Sequence, residues 1–283
     1  MARRIKDLGL NPGGRRGQVA IRVAVAGAAG KMGCRIIHQI ASQDGLALSG
    51  ALERAGHPAL GADAGQNAGA GPLGAALTAD EGSLAGDVLV SFAVPEASAA
   101  HARLAAGKGM AAVIGTTGLS EAQRGVIAEA AGKVPVVFSP NMSVGVNVAF
   151  RLIGEAARLL GEAYDAEVLE AHHNQKVDAP SGTAVRMGEI IARALGRSYP
   201  KDAVFHREGQ TGKRPPRAIG MQTLRGGDVA GEHTVYFFGM GERVEITHRA
   251  ASRDNFAAGA IRAIRWVVEQ PPGLYGMAEV LGL

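Results

Sequence analysis

The chain has 283 residues, of which 47% are hydrophobic and 4% aromatic. This is long and apolar enough to bury one large or two ordinary cores, and it excludes a disordered chain. The formal net charge is +4, but residues 1–20 hold five basic side chains and one acidic side chain, and the remaining 263 residues carry 25 of each. The excess charge therefore lies on a terminal segment, and with so few aromatic residues we expect neither a nucleic-acid nor a membrane partner.

The chain contains one cysteine, Cys34. An intrachain disulfide and zinc sites built on cysteine pairs are therefore excluded, and we predict no metal site. The first residues include arginines but lack the apolar stretch of a secretory signal. The longest uncharged stretch, residues 134–150, contains two prolines and two asparagines and is not typical of a membrane span. We expect a cytoplasmic protein.

In chain order, residues 1–20 lack periodicity and are interpreted as a mobile basic tail. Short apolar runs then alternate with helical patterns. The predicted strands are residues 21–26, 46–52, 87–94, 111–114 and 134–138, and the helices between them include residues 96–106 and 120–131. Buried runs of this kind, separated by helices, are typical of a parallel sheet.

The pattern changes after Pro140. A helix is predicted at residues 146–160, a strand at 164–171 and a helix at 183–195. Strand patterns then follow one another at residues 218–224, 232–238 and 243–249, before an amphipathic helix at 256–268. Consecutive strands without helices between them indicate an antiparallel or mixed sheet. The predicted fold class is α/β, with a Rossmann-like parallel-sheet domain and a smaller α+β domain with a mixed sheet.

A glycine-rich segment, GAAGKMG, lies between the first strand and the first helix. Its glycines permit a tight turn and a close approach of backbone N–H groups to a pyrophosphate, and the helix N-terminus adds positive partial charge. The predicted cofactor residues of this segment are Gly27, Ala28, Ala29, Gly30, Lys31 and Met32. Glu53 at the end of the second strand is placed to bind the ribose, and Arg54 to bind a 2′-phosphate. The cofactor is predicted as NADPH or NADH; the alternative is a structural turn followed by surface charges.

Two polar loops follow later strands of the parallel sheet. Ligands of such sheets bind beyond the carboxyl ends of the strands, so both loops are placed to contact the nicotinamide half of a dinucleotide. Each loop taken alone is equally compatible with an ordinary polar turn. The residues concerned are Gly115, Thr116, Thr117, Ser139, Pro140, Asn141 and Met142.

The segment EAHHNQKVDAPSGT carries the densest chemistry. His172, His173 and Lys176 form a cationic cluster suited to proton transfer. A predicted helix N-terminus follows, where hydroxyls and free N–H groups suit a carboxylate; its residues are Ser181, Gly182 and Thr183. The alternatives are solvated loop histidines and a plain helix cap. A later basic, Gly- and Pro-rich loop, residues 206–220, either closes over an anionic substrate or is simply exposed.

In this order, the motifs GAAGKMG, Glu53-Arg54, GTTG, SPNMSVGVN, EAHHNQKVDAPSGTA and GEHT resemble the 4-hydroxy-tetrahydrodipicolinate (dihydrodipicolinate) reductases of bacterial lysine biosynthesis. The resemblance extends from about Ile21 to the C-terminus. It implies reduction of 4-hydroxy-tetrahydrodipicolinate to tetrahydrodipicolinate in the diaminopimelate pathway, with NADH or NADPH as cofactor and a small dicarboxylate as substrate. His172 and Lys176 would then be the catalytic proton donors, and His173, Gly182 and Thr183 would hold the substrate carboxylates.

The resemblance also implies a domain organisation and a homotetramer. Residues 21–143 would form the dinucleotide-binding domain, with a C-terminal helix, residues 254–283, packing back on it. Residues 144–253 would form the substrate-binding and oligomerisation domain. The sequence disfavours two other functions. A semialdehyde dehydrogenase needs a cysteine in the substrate region, whereas Cys34 lies in the cofactor motif, and a non-catalytic dinucleotide sensor that binds DNA through the basic tail is disfavoured because the rest of the chain sums to zero charge. The sequence leaves open the preference between NADH and NADPH, the hydrated or dehydrated form of the substrate, feedback regulation and the role of the tail.

Overall fold

A computed structural model of the protein describes residues 20–283. The interpretation of residues 1–20 as a mobile tail falls outside these residues, apart from Ala20. The strands are β1 (Ile21–Ala26), β2 (Leu46–Leu52), β3 (Leu77–Thr78), β4 (Val88–Ser91), β5 (Ala111–Ile114), β6 (Pro135–Phe138), β7 (Asp165–His172), β8 (Ala203–Val204), β9 (Ile219–Arg225), β10 (Glu232–Phe238), β11 (Arg243–Arg249) and β12 (Gly273–Tyr275). The helices are α1 (Lys31–Ala41), α2 (Ala64–Asn67), α3 (Pro95–Lys108), α4 (Glu121–Ala131), α5 (Val144–Leu160), α6 (Gly182–Ala194), α7 (Asp254–Val267) and α8 (Met277–Leu281).

The first sheet has seven parallel strands in the order β12-β6-β5-β4-β1-β2-β3. Its central strands β1, β4 and β5 are buried on both faces along most of their length, because side chains alternate between two cores. Val23 and Val25 contribute to the core beneath α1 and α7, whereas Ala24 and Ala26 contribute to the core beneath α3 and α4. This burial explains why the strands are continuous apolar runs rather than alternating ones.

The second sheet has five strands in the order β11-β10-β7-β9-β8. β10 pairs antiparallel with β7 and β11, while β9 pairs parallel with β7 and β8. Helices α5 and α6 cover one face, where Val168, Val235 and Phe237 pack against Ile153 and Met187. The sheet is therefore mixed, and the predicted fold class is confirmed.

The differences from the predicted elements are local. The predicted strand 87–94 is shorter, because the chain leaves the sheet after Ser91 and Pro95 begins α3. The short strands β3, β8 and β12 were not predicted, because two or three residues carry no periodic signal. β12 comes from the end of the chain and extends the first sheet beside β6.

The basic loop of residues 206–220 is anchored to the outer face of the second sheet. Arg207 donates two hydrogen bonds of 2.8 Å to the carboxylate of Glu167, and Arg214 donates to Glu167 at 3.0 Å and to Asp165 at 2.7 Å. These acidic residues lie in the first half of β7, whereas His172 ends that strand. In this structure the loop therefore does not close over the predicted substrate segment.

Candidate active site

The predicted cofactor residues line one edge of the first sheet. They follow β1, β2, β5 and β6, whose carboxyl ends all point the same way because the strands are parallel. The chain extends the sheet in both directions from its centre: β2 lies outside β1 on one side, and β5 lies outside β4 on the other. A crevice at such a switch point is where dinucleotides bind in doubly wound sheets.

The turn between β1 and α1 depends on close backbone contacts. Gly27 has a φ of +70°, a conformation that favours glycine. A Cβ on Gly33 would lie 2.2 Å from the Gly27 carbonyl oxygen, so glycine lets α1 pack against the turn. Within residues 20–283 no side chain caps α1 at Gly30, and the N–H groups of its first turn remain free for a phosphate. The turn therefore fits the pyrophosphate of a dinucleotide.

The carboxylate of Glu53 is fixed beside this turn. It accepts hydrogen bonds of 3.0 Å from the backbone N–H groups of Ala29 and Arg54. Arg54 itself is exposed. The pair lies just beyond the carboxyl end of β2, where the adenosine ribose lies in this class of fold.

The loops after β5 and β6 reach the same edge, but some of their side chains point into the protein. The Thr116 hydroxyl donates to the Ala93 carbonyl at 3.0 Å and lies 2.5 Å from the Ser98 hydroxyl. The Met142 side chain is buried in the core beneath α1 and α7. Contacts of these two residues with a cofactor must therefore come from their backbone. The other predicted residues of the two loops follow the same strand ends: Gly115, Thr117, Ser139, Pro140 and Asn141.

Asn141 connects the predicted cofactor loop to the predicted substrate segment. Its side-chain amide donates to the Thr183 hydroxyl at 3.1 Å, across from the loop after β6 to the first turn of α6. A cleft of about 910 Å³ is lined by Lys31 from α1 and by His173 from the segment after β7. One residue of each predicted group, Lys31 and His173, thus lines a common cleft.

His172 is hydrogen bonded through its Nδ1 to a buried carboxylate. The Nδ1 atom lies 2.6 Å from Oε2 of Glu170, which is 1% exposed. Burial by itself raises the pKa of Glu170, but hydrogen bonds from His172, Arg225 and the Ser181 N–H lower it to about 2. Glu170 is therefore ionised and accepts only, so Nδ1 of His172 carries the proton and Nε2 is the ring nitrogen that this bond leaves without a proton.

His233 lies against His172, with ring centroids 5.1 Å apart in an edge-on arrangement. Burial and then the neighbouring His172 lower the pKa of His233 to about 3, so it is neutral. Its Nε2 lies 3.0 Å from the Ser181 hydroxyl, which also caps α6 by accepting from the Ala184 N–H at 3.2 Å. The Ser181 side chain is therefore occupied inside the protein, and the N–H groups of Gly182 and Thr183 are the ones exposed to an anion.

Lys176 is held by an ion pair. Its ammonium donates to Asp178 Oδ1 at 2.7 Å, and this hydrogen bond lowers the pKa of the Asp178 carboxyl. His173 has a buried Nδ1 with no hydrogen-bond partner among residues 20–283. Lys176 and His173 are therefore close together in the segment that leads into α6. A cation beside a hydrogen-bonding side chain suits a dicarboxylate ligand.

Other classes of site find no support in the described part of the chain. Residues 20–283 contain no cluster of three or more His, Cys, Asp or Glu side chains that could hold a metal ion. Among the same residues, every helix is too short or too polar to cross a membrane. Burial raises the pKa of the Cys34 thiol, which makes it a poor nucleophile.

Comparison with known proteins decides the family. Residues 21–142 match the family model "Dihydrodipicolinate reductase, N-terminus", and residues 145–281 match "Dihydrodipicolinate reductase, C-terminus". The chain belongs to the dihydrodipicolinate reductase family. The resemblance seen in the motifs is confirmed, and with it the assignment to the oxidoreductases of lysine and diaminopimelate biosynthesis that use a nicotinamide cofactor.

Relatives of this family are similar over nearly the whole chain. The 4-hydroxy-tetrahydrodipicolinate reductase of Syntrophotalea carbinolica is 56% identical over 93% of this chain and 99% of its own length. That of Anaeromyxobacter dehalogenans strain 2CP-1 is 58% identical, over 93% of this chain and 98% of its own. The dipicolinate-bound dihydrodipicolinate reductase of Paenisporosarcina sp. TG-14 superposes with a TM-score of 0.71 at 25% identity, over 92% of this chain and 98% of that one.

Three side chains of the candidate site were not predicted from the sequence. Glu170 lies two residues before His172 on the same strand, and this spacing puts both on one face, so the signal was present. Arg225 and His233 come from β9 and β10, and only the strand register brings them to β7: Arg225 lies opposite His172 and His233 opposite Glu170.

Proposed function

We propose that this chain catalyses the NAD(P)H-dependent reduction of 4-hydroxy-tetrahydrodipicolinate to tetrahydrodipicolinate, with His172 and Lys176 as proton donors. The observation that carries this proposal is the hydrogen bond between His172 and Glu170, whose carboxylate also accepts from the N–H of Ser181, the N-cap of α6. The relative from Paenisporosarcina was solved with dipicolinate, a planar dicarboxylate, which supports a small dicarboxylate substrate.

The substrate carboxylates are assigned to the first turn of α6 and its neighbours. The N–H groups of Gly182 and Thr183 supply an anion site at the helix N-terminus, and the unpartnered Nδ1 of His173 supplies a further donor. The ammonium of Lys176, paired with Asp178, offers charge to the same dianion. Ser181 shapes this site through its cap and its bond to His233 rather than by direct contact.

In the overall reaction the 4-hydroxyl leaves with a neighbouring ring hydrogen as water, and a hydride and a proton then add to the carbon–carbon double bond that this loss leaves in conjugation with the ring imine. When bound, the reduced nicotinamide supplies the hydride. The residues of this chain supply the proton and stabilise the negative charge that develops on the ring. The Nε2 of His172 and the Nζ of Lys176 are the two donors on the substrate side, and Glu170 keeps the other ring nitrogen of His172 occupied.

The first prediction concerns the reaction itself. The full chain, supplied with enzymatically generated substrate, is expected to oxidise both NADH and NADPH. The measurement is the loss of reduced-nicotinamide absorbance.

Arg54→Ala is expected to raise the KM for NADPH roughly tenfold, because it removes a charge-assisted contact to the 2′-phosphate, and to leave the KM for NADH nearly unchanged. Glu53→Gln is expected to affect NADH more, because it weakens the acceptor for the ribose hydroxyls.

Two outcomes would contradict these assignments. If the wild-type chain binds NADPH, as followed by fluorescence, but consumes neither cofactor with this substrate, the proposed reaction is wrong. If Arg54→Ala changes the two KM values equally, Arg54 does not read the 2′-phosphate.

We also propose that the chain forms a homotetramer through the face of the second sheet opposite α5 and α6. This face carries Leu224, which is 54% exposed, and Phe238, which is 40% exposed and stacked on Tyr236 with centroids 5.5 Å apart. An apolar patch of this kind on a sheet is typical of a protein interface. A second copy of the same chain is the occupant that the family resemblance implies.

The second prediction tests this face. Light scattering after size exclusion is expected to give the mass of four chains for the wild type and a smaller assembly for Phe238→Glu, because the variant buries a charge in the contact. Leu159→Glu is the matched control, since Leu159 is 73% exposed on α5 and lies outside this face. A monomeric wild type, or an unchanged mass for Phe238→Glu, would refute the proposed contact.

A further inference from the structure

We propose that Glu170 and Arg225 form a single positioning unit that holds both proton donors, His172 through its ring and Lys176 through the Asp178 turn. The inference rests on the proposed function for the roles of His172 and Lys176, but the contacts that carry it do not depend on the reaction. Neither Glu170 nor Arg225 was assigned a role by any motif in the sequence.

Glu170 has every acceptor position of its carboxylate occupied. Arg225 donates to Oε2 at 2.8 Å and to Oε1 at 3.0 Å, a two-point contact that fixes the plane of the carboxylate. The Ser181 N–H donates to Oε1 at 3.0 Å, and the Thr223 hydroxyl donates to the same oxygen at 3.2 Å. The remaining bond, of 2.6 Å, goes to Nδ1 of His172. The carboxylate therefore cannot rotate without breaking several bonds.

A fixed carboxylate sets the tautomer of His172. Since Nδ1 must donate to Glu170, Nε2 is the atom that takes up or releases the catalytic proton. The backbone also favours access to this atom: a Cβ on Gly231 would lie 3.1 Å from Nε2, and glycine leaves that side open. A carboxylate that orients a catalytic imidazole in this way also stabilises the imidazolium form.

The other charged or titratable groups around His172 do not replace Glu170. His233 on β10 is neutral and offers its ring edge to His172. Arg225 on β9 is a cation directed at Glu170, and Lys176 on the following turn is a cation directed at Asp178. Among the described residues in contact with His172, Glu170 is thus the anion that balances a protonated ring.

Arg225 extends the same unit to the second donor. Besides Glu170, it donates to the backbone carbonyl of Asp178 at 2.6 Å and to that of Leu224 at 2.7 Å. The side chain of Asp178 then accepts from Lys176 at 2.7 Å. One guanidinium therefore fixes both the carboxylate that orients His172 and the turn whose carboxylate holds Lys176.

The third prediction uses Glu170→Gln in the full chain. The amide keeps the shape but presents a donor where Nδ1–H needs an acceptor, so kcat is expected to fall at least about tenfold with the dissociation constant of NADPH unchanged. In ¹⁵N NMR of the resting enzyme, the His172 ring is expected to lose the Nδ1–H tautomer. Arg225→Lys keeps the charge but cannot span Glu170 and Asp178, and an intermediate loss of kcat is expected.

Two controls isolate the positioning role. Glu155→Gln removes a carboxylate that Arg151 and Arg158 hold at 3.2 Å and 2.8 Å on α5, far from His172 in the fold, and should leave both kcat and the tautomer unchanged. Thr223→Val removes one neutral hydrogen bond to Glu170 and should lower kcat less than Glu170→Gln does.

Wild-type kcat in Glu170→Gln, or an unchanged His172 tautomer, would overturn the inference. If circular dichroism shows that this variant does not fold, Arg225→Lys takes over the test, and wild-type kcat there overturns it equally. The NMR measurement of the tautomer does not require turnover. If the wild type has the Nδ1–H tautomer of His172 but does not reduce the substrate, the proposed reaction is wrong and the positioning of His172 by Glu170 is still supported.

Discussion

Replacement of His172 by Ala, and separately of Lys176 by Ala, is expected to lower kcat by about 10²-fold or more in each variant. Each side chain is one of the two proposed proton donors, and loss of a positioned acid or base usually has an effect of this size. Because the two act on the same charge in the substrate ring, the double variant is expected to lose less than the product of the two single effects.

The measurement is steady-state turnover with saturating NADPH, combined with the dissociation constant of NADPH from fluorescence. The dissociation constant should not change, because neither residue lies in the glycine-rich turn. His206→Ala and Lys133→Ala are matched controls, since both side chains are exposed and neither belongs to the glycine-rich turn or to the segment from His172 to Thr183. Near wild-type kcat in both His172→Ala and Lys176→Ala would sink the catalytic assignment.

Gly33→Ala is expected to weaken cofactor binding and to destabilise the fold. The added Cβ would lie 2.2 Å from the Gly27 carbonyl oxygen and 2.8 Å from the Ala28 Cα, so α1 must move away from the turn. Overpacking of this kind lowers the free energy of unfolding by about 1–3 kcal/mol. The displaced helix also withdraws its N-terminal N–H groups from the pyrophosphate, so we expect the dissociation constant of NADPH to rise at least about tenfold.

Urea unfolding gives the stability change, and fluorescence titration gives the change in NADPH affinity. Gly125→Ala is the matched control, because Gly125 lies in the middle of α4 with open space where a Cβ would be. That variant should be stabilised by about 0.5–1 kcal/mol, as is usual when alanine replaces glycine inside a helix. If Gly33→Ala binds NADPH as tightly as the wild type does, the close packing of α1 on the turn is not what forms the phosphate site.

The main strands and helices could be predicted from the sequence because they carry strong local signals. The run Ile21–Ala26 is apolar apart from Arg22, since both faces of the first sheet are covered at its last four residues, and α5 and α7 show a clear apolar stripe. The run cannot indicate which residues meet which helices, however. That Val25 packs beneath α1 and Ala24 beneath α3 follows from the handedness of the connections and the packing of the layers.

The candidate site, too, could be predicted from the sequence only in part. The glycine-rich turn and the segment from His172 to Thr183 were recognised because their functional groups are consecutive in the chain. Thr116, in the loop after β5, and Ser181, in the second of these segments, were predicted as ligand contacts, yet their hydroxyls are bonded inside the protein, to Ala93 and His233 among others. A motif identifies which residues surround a site but not which way each side chain turns, since rotamers are selected by neighbours distant in sequence.

The sequence by itself determined the two-sheet architecture, the family and the segments that border the cleft, because local periodicity and contiguous motifs encode each of them. Only the tertiary structure decided what holds the chemistry in place. Arg225 reaches Glu170 and His233 reaches His172 through the register of β9 and β10 against β7. A pairing across a sheet is set by hydrogen-bond ladders between separate segments, and no spacing along one segment records it.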